Sequence, residues 1–193
     1  MSVFEEFFID LDKRWDGAHV ELHVIGSAAL MMQHAYQRGT RDGDVLETIT
    51  LTNEAKEGLR RLAGPKTPLS TRHGIYIDIV ANGLPFLPRE PSWHHVNGLT
   101  LRRLGVRTLD VTDVIVSKLK RFNANDQADA DAMIGLRLVE HAQLLERFRS
   151  AFDEFRYDAR AAELPRYVAN LHRVERDMFR VPETEIDVPD PRY

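Results

Sequence analysis

Two aspartates, Asp42 and Asp44, form the first pair in the sequence whose type and spacing predict chemistry. Side chains at positions i and i+2 of an extended segment point to the same face of a strand, and their Cα atoms lie about 6.6 Å apart. Carboxylates with that spacing can bind one divalent cation, or two cations about 4 Å apart. The alternative is a pair of exposed turn residues, because Asp-Gly is a common turn sequence.

A third aspartate, Asp78, interrupts the otherwise apolar segment IYIDIV at residues 75–80, which is typical of a strand. A carboxylate on a buried face of such a strand needs a partner. That partner could be an arginine side chain or a metal ion. Together with Asp42 and Asp44 it would complete an oxygen-rich site for Mg²⁺ or Mn²⁺, which bind carboxylates, water and phosphate oxygens.

Gly26 and Ser27 lie between a predicted strand at 19–25 and a predicted helix at 27–37, which Gly39 is expected to end. Backbone N–H groups and the partial positive charge at the start of a helix suit a phosphate group. Two structural explanations stay open, because a tight turn needs glycine for steric reasons and a serine can cap a helix.

The order of these segments resembles the nucleotidyltransferase-like superfamily, which includes DNA polymerase beta and the aminoglycoside nucleotidyltransferases. The segments are the Gly-Ser turn before a helix, the Arg-x-Thr-x-Asp-x-Asp sequence at 38–44 and the single Asp78. The similarity is strongest to small bacterial stand-alone members, including those of abortive-infection and toxin–antitoxin modules, and covers roughly residues 20–134. A further match is DVIVSKL at 113–119, which is followed by Asp126, Asp129 and Asp131.

The resemblance implies a transferase that moves a nucleoside monophosphate from an NTP such as ATP to a protein, RNA or small-molecule acceptor, with Mg²⁺ or Mn²⁺. The implied catalytic residues and metal ligands are three carboxylates, of which the last is also a candidate base: Asp42, Asp44 and Asp78. The residues implied to bind nucleotide phosphates, or to brace the loop before the acidic pair, are Gly26, Ser27, Arg38, Thr40 and Lys118.

Gly43 departs from the family pattern, in which an apolar side chain more often separates the two aspartates. Glycine weakens a strand and often marks a bulge, so the two carboxylates are expected to point differently from the family arrangement. A second hypothesis therefore stays open: a catalytically weak or inactive module that keeps the fold and acts by binding a cognate partner protein.

The hydrophobic pattern predicts an α+β fold, with a small mixed β-sheet flanked by helices in residues 1–110. A helical portion is predicted at 111–180 and an acidic, Pro-rich tail at 181–193. The other predicted strands lie at 43–51, 74–80 and 99–109, a loop is predicted at 64–68, and the other predicted helices lie at 3–15, 52–62, 110–122, 127–139, 141–156 and 158–178.

The composition is that of an ordinary globular protein, with 193 residues, a formal net charge of −4 and no cysteine. The absence of cysteine excludes disulfides and thiolate metal sites, and it fits a cytoplasmic location. No apolar run reaches the roughly 20 residues of a membrane span. A basic segment at 101–121 is either a solvated surface or a surface that faces an anionic partner such as RNA. Its cations are Arg102, Arg103, Arg107, Lys118, Lys120 and Arg121.

Overall fold

The computed structural model describes residues 2–157 and 159–188, and within them the chain forms five strands and eight α-helices. These elements make two compact units. The first contains residues 2–84 and 92–110, and the second contains 85–91 and the described residues from 111 onward. The mixed α/β composition, with a helical C-terminal part, confirms the predicted fold class.

The first unit is built on a five-stranded mixed sheet with the strand order β3-β2-β1-β5-β4. The strands are β1 (Val20–Val24), β2 (Asp42–Leu46), β3 (Tyr76–Val80), β4 (Trp93–His95) and β5 (Leu104–Leu109). The central strand β1 pairs with β2 in antiparallel and with β5 in parallel orientation. Because β2 and β3 are parallel neighbours, the two segments that carry the predicted acidic residues lie side by side.

Four helices belong to the first unit: α1 (Val3–Arg14), α2 (Gly26–Gln33), α3 (Asn53–Ala63) and α4 (Pro68–His73). Their starts follow from the sequence. Ser2 and Glu5 form a capping box at α1, and Thr52 caps α3 by accepting the Ala55 N–H. Side-chain oxygens at these positions satisfy N–H groups that have no partner within the helix.

The core of the first unit follows the alternation of the strands. On β1, the apolar residues Val20, Leu22 and Val24 are buried, whereas Glu21 and His23 between them are partly exposed. One face of the strand is therefore apolar and the other is polar, which is the pattern of a sheet covered by helices on one side.

Several predicted boundaries were wrong for local reasons. Helix α2 ends at Gln33 rather than near Gly39, because the side chains beyond Gln33 are no longer buried and offer no apolar face to pack. Strand β2 ends at Leu46, since the chain turns at Thr48, whose carbonyl accepts the Leu51 N–H.

Two elements were missed altogether. Helix α4 begins at Pro68, the last residue of the predicted loop, where Thr67 caps it and proline occupies its first turn. The short strand β4 lies between the predicted strands at 74–80 and 99–109, where no strand was predicted.

The Asp12 carboxylate of α1 fixes the start of β5. It is 8% exposed and accepts hydrogen bonds from the backbone N–H groups of Arg102, Arg103 and Leu104 at 3.0, 2.8 and 2.9 Å. Burial by itself would raise the pKa of Asp12, but these three N–H donors outweigh burial and lower the pKa below 3.8. The carboxylate is therefore ionised at neutral pH and replaces the strand partners that these N–H groups lack.

We expect Asp12→Asn to destabilise the protein by about 2–3 kcal/mol at neutral pH. An amide oxygen is a weaker hydrogen-bond acceptor than a carboxylate oxygen, and the amide NH₂ group would face the backbone N–H groups that Asp12 binds. A carboxyl whose pKa is lowered in the folded state stabilises the protein at pH values above its usual pKa of 3.8. This stabilisation is lost as the pH falls through the pKa of the folded state. The difference in unfolding free energy between the wild type and Asp12→Asn, measured with denaturant, should therefore be smaller at pH 3.5 than at pH 7. The exposed Asp16→Asn is the control, and an equal loss in both variants would contradict this role.

The second unit contains helices α5 (Val111–Lys118), α6 (Ala124–Gly135), α7 (His141–Phe155) and α8 (Leu164–Val174). Phe86 lies at its centre, with ring centroids 5.4, 5.1 and 4.9 Å from those of Phe148, Phe155 and Tyr167. Residues 85–91, which were predicted within the first domain, therefore group with the helices. No helix among the described residues has the length and apolar character of a membrane span.

The C-terminal helix is shorter than predicted, since α8 starts at Leu164 and is followed by a π-helical turn at Glu175–Phe179. Residues 181–188 of the predicted tail have no regular secondary structure. Residues 189–193 of the predicted tail lie outside the described residues.

Candidate functional site

The three predicted acidic residues lie on one face of the paired strands β2 and β3. Asp42 is aligned with Tyr76, and Asp44 is aligned with Asp78. Aligned residues of neighbouring strands project to the same side, and so do residues two apart on one strand. Asp42 and Asp44 are half-buried and Asp78 is exposed. The structure therefore places all three carboxylates on the same accessible face.

Gly43 does not form a bulge. The pairing of β2 with β3 runs without interruption, and Gly43 is aligned with Ile77 between the two aspartate positions. The expectation that Gly43 redirects the carboxylates was therefore wrong. A Cβ at this position would point to the buried face and lie 3.5 Å from a ring carbon of Phe4 and from the Tyr76 carbonyl oxygen, which is ordinary contact.

We expect Gly43→Ala to stabilise the protein by about 0.5–1 kcal/mol, because alanine restricts the unfolded chain and no native contact must yield. Nucleotide binding should not change, since the added methyl group faces away from the carboxylates. Gly105→Ala is the matched control, since its Cβ would meet Glu21 at 3.3 Å. A loss of stability in Gly43→Ala by denaturant unfolding would show that the strand has less room than the distances indicate.

The Gly-Ser turn packs directly against Asp44. Gly26 has φ +66°, and a Cβ there would lie 3.0 Å from the Asp44 Oδ2 atom. The Ile25 N–H also donates to the Asp44 carbonyl oxygen at 2.9 Å. Only glycine combines this backbone conformation with so close a carboxylate. The predicted phosphate turn and the predicted metal ligand are thus adjacent.

Ser27 is not the cap of α2. The N-cap position is Ile25, and no side chain makes a cap hydrogen bond there. Ser27 is the second residue of the helix and is 9% exposed. The N-cap residue therefore offers no side-chain oxygen to the start of α2, and a helix start suits an anionic ligand.

The loop before β2 holds Asp42 in its ionised form. The Thr40 hydroxyl donates to Asp42 Oδ1 at 2.7 Å, and the Thr40 N–H donates to the Arg38 carbonyl oxygen at 3.0 Å. Burial opposes ionisation, but the Thr40 hydroxyl, nearby backbone N–H groups and the charge of Arg38 bring the pKa of Asp42 below its usual value. Thr40 and Arg38 therefore support the acidic pair.

Tyr76 is a member of this face that the sequence reading missed. Its half-buried side chain lies beside Asp42. Burial raises the pKa of the Tyr76 hydroxyl, and the negative charges of Asp42, Asp78 and Asp44 raise it further. All three carboxylates therefore act on one hydroxyl, which stays protonated. The spacing of two residues between Tyr76 and Asp78 on one strand was a signal that could have found it.

The carboxylates do not form a complete metal site by themselves. In the part of the chain that the structure describes, no group of three or more His, Asp or Glu side chains is arranged to hold a metal ion. Mg²⁺ is commonly bound by one or two carboxylates together with waters and substrate phosphates. The residues fit that mode, since two carboxylates of β2 lie on one face and one of them, Asp44, lies beside the start of α2. Their role as metal ligands stays a prediction.

Lys118 is enclosed in an ion-pair cluster of the second unit. It is 8% exposed, and its Nζ atom lies 3.1 Å from Asp126 Oδ1 and 2.7 Å from Asp129 Oδ2. Arg121 also binds Asp126. A buried amine held by two carboxylates supports the helices around it, so this arrangement does not favour the predicted phosphate contact of Lys118, which stays untested.

The basic segment at 101–121 contributes cations to both units, and part of its charge is neutralised. It is divided between the two units at residue 110. Carboxylate partners lie beside several of its cations: Glu21 beside Arg107, and acidic residues of α6 beside Lys118 and Arg121. Neutralised cations attract a polyanion weakly. The segment therefore gives little support to RNA as the acceptor.

One comparison with known proteins gave a match. A family model described as nucleotidyltransferase of unknown function (DUF6036) matches residues 2–165. This range covers most of the chain and includes the Gly-Ser turn and all three aspartates. No curated protein and no solved structure matches the chain.

Proposed function

The chain belongs to the family of nucleotidyltransferases of unknown function, and from that premise we propose that it transfers a nucleoside monophosphate from an NTP to a hydroxyl acceptor, with Mg²⁺. The observation that carries the proposal is the contact between the two halves of the site. The Gly26 turn, which suits a phosphate, lies so close to Asp44 that a Cβ atom added at Gly26 would be only 3.0 Å from a carboxylate oxygen of Asp44.

The start of α2 would bind the triphosphate. The positive end of the helix dipole favours an anion there, and backbone N–H groups at a helix start are suitable donors to phosphate oxygens. Gly26 lets the backbone approach closely, since no side chain stands between the turn and Asp44. This arrangement would bring the phosphates within reach of the carboxylates of β2.

Asp42 and Asp44 would hold the metal ion together with phosphate oxygens. The lowered pKa of Asp42 keeps this ligand charged at neutral pH. A bound Mg²⁺ neutralises phosphate charge and stabilises the oxygens that gain charge during the transfer. In the absence of a cation, neighbouring carboxylates on one face repel each other. A cation would relieve this repulsion, which supports a metal role at these positions.

Asp78 is the best-placed base, because it is exposed and aligned with Asp44. In the proposed step its carboxylate takes the proton of the acceptor hydroxyl. The acceptor oxygen then forms a bond to the α-phosphorus, the bond from that phosphorus to the β-phosphate oxygen breaks, and pyrophosphate leaves. Alignment and charge stabilisation supply most of the catalysis in such transfers, so no covalent intermediate with the protein is required.

The activity can be tested directly by incubating the wild-type protein with each of the four NTPs, labelled at the α-phosphate, in the presence of Mg²⁺. We expect release of pyrophosphate together with free or acceptor-bound labelled monophosphate, and dependence on the metal. Release of inorganic phosphate instead of pyrophosphate would show a different bond cleavage. No product from any NTP at high protein concentration would argue against a stand-alone transferase.

A further inference from the structure

The predicted site has two flanks, one on each side of β2. On one flank, the Gly26 turn follows β1 and contacts Asp44. On the other flank, the neighbouring strand β3 carries Tyr76 and Asp78. Adjacent strands lie about 4.8 Å apart, so the two flanks are separated by about 10 Å, with the carboxylates of β2 between them.

The reaction geometry places the leaving group on one flank and the acceptor on the other. In phosphoryl-type transfer the attacking and leaving oxygens lie roughly in line on opposite sides of the phosphorus. If the leaving pyrophosphate lies at the Gly26 turn and the α-phosphate above Asp42 and Asp44, the acceptor approaches from β3. Tyr76 is the neighbour of Asp78 on that strand, two residues away on the same face.

The Tyr76 hydroxyl is a hydrogen-bond donor on a face where the nearby aspartates can only accept hydrogen bonds. The three aspartates near it are carboxylates, which when ionised can only accept hydrogen bonds. A tyrosine on this face offers an O–H group to an incoming molecule, since a phenol is ordinarily protonated at neutral pH. β3 is also an edge strand of the sheet, so molecules reach this flank without crossing another strand of the sheet.

We infer that Tyr76 positions the acceptor: its hydroxyl donates a hydrogen bond to an oxygen or nitrogen near the reacting hydroxyl, which Asp78 deprotonates. This inference rests on the proposed transferase function and deepens it. It identifies the acceptor as a molecule that carries a lone-pair atom beside its reacting hydroxyl, as vicinal diols do. Tyr76 acts through the acceptor's orientation and does not bind the triphosphate.

The test uses Tyr76→Phe, which removes only the hydroxyl group, with Tyr157→Phe as the control, because Tyr157 is 87% exposed. Two hydroxyl acceptors of defined structure, water and glycerol, compete for the monophosphate of the NTP that the wild type binds most tightly. Two quantities are measured. The first is the ratio of the glyceryl ester of the nucleoside monophosphate to the free nucleoside monophosphate. The second, by calorimetry, is the dissociation constant of Mg²⁺–NTP from the protein.

We expect Tyr76→Phe to lower the glycerol-to-water product ratio about tenfold, the effect of one lost hydrogen bond, and to leave the dissociation constant unchanged within about twofold. An unchanged ratio would overturn the inference. So would NTP binding by Tyr76→Phe that is weakened beyond this twofold limit, or a wild type that binds Mg²⁺–NTP but transfers to neither acceptor. Failure of the wild type to bind any NTP would instead refute the proposed function itself.

Discussion

Replacing Asp42 and Asp44 together by alanine is expected to abolish Mg²⁺-dependent nucleotide binding and to lower transfer by about 10³-fold or more, since metal stabilisation of the transferring phosphate contributes several kcal/mol. Both carboxylates lie on one face of β2. With them removed, only Asp78 of the three carboxylates remains, and it lies on β3, across β2 from the Gly26 turn at which the phosphates would bind.

The same double variant should still fold when Mg²⁺ is absent, but with reduced stability, because the Thr40 hydroxyl loses its acceptor and the lowered pKa of Asp42 means that its charge stabilises the folded state. This result would separate loss of function from loss of structure. Asp131→Ala, at an exposed position of α6, is the matched control for removal of a carboxylate. Turnover by Asp42→Ala/Asp44→Ala at the wild-type rate would show that the chemistry lies elsewhere.

Gly26→Ala is expected to have the second largest effect. A non-glycine residue at φ +66° costs about 1 kcal/mol or more. In addition, its Cβ would lie 3.0 Å from the Asp44 Oδ2 atom, so the carboxylate must move. We therefore expect reduced stability together with at least tenfold weaker Mg²⁺–NTP binding, on the scale of lost ligand support at metal sites.

Gly74→Ala separates these two effects. Gly74 has nearly the same backbone angle, φ +69°, at the C-terminal cap of α4, but a Cβ there meets no atom within 4 Å. In denaturant unfolding Gly74→Ala should lose only the stability that the backbone angle costs, and Gly26→Ala should lose at least as much. Only Gly26→Ala should lose nucleotide binding in calorimetry. Equal nucleotide binding by the two variants would contradict a role for the close contact between the turn and Asp44.

The parts of the site that the sequence predicts well depend on short-range rules. Alternation along a strand places Asp42 and Asp44 on one face, and the strand pairing observed between β2 and β3 adds Asp78 to the same face. Gly26 was predicted from its position between a strand and a helix. The reason why only glycine fits at this position became clear from its closeness to Asp44, a residue eighteen positions away in the sequence.

What the sequence did not predict depends on tertiary contacts. The interpretation of Gly43 as a bulge failed because the pairing with Ile77 and the space near Phe4 determine the strand geometry. Asp12 gave no sequence signal, since the N–H groups that it binds are about ninety residues away. Lys118 lies in a segment that matches the family pattern, yet its nearest charged partners are Asp126 and Asp129.

We propose that the Gly26 turn and the carboxylates of β2 form one site for a nucleotide with its metal ion. Calorimetry of the wild-type protein with NTPs, in the presence and absence of Mg²⁺, is the measurement that decides whether such a site exists. We expect saturable binding that requires Mg²⁺, because the phosphates would complete the metal coordination that two carboxylates begin. Equal binding with and without Mg²⁺, or no binding of any NTP to a folded protein, would contradict it.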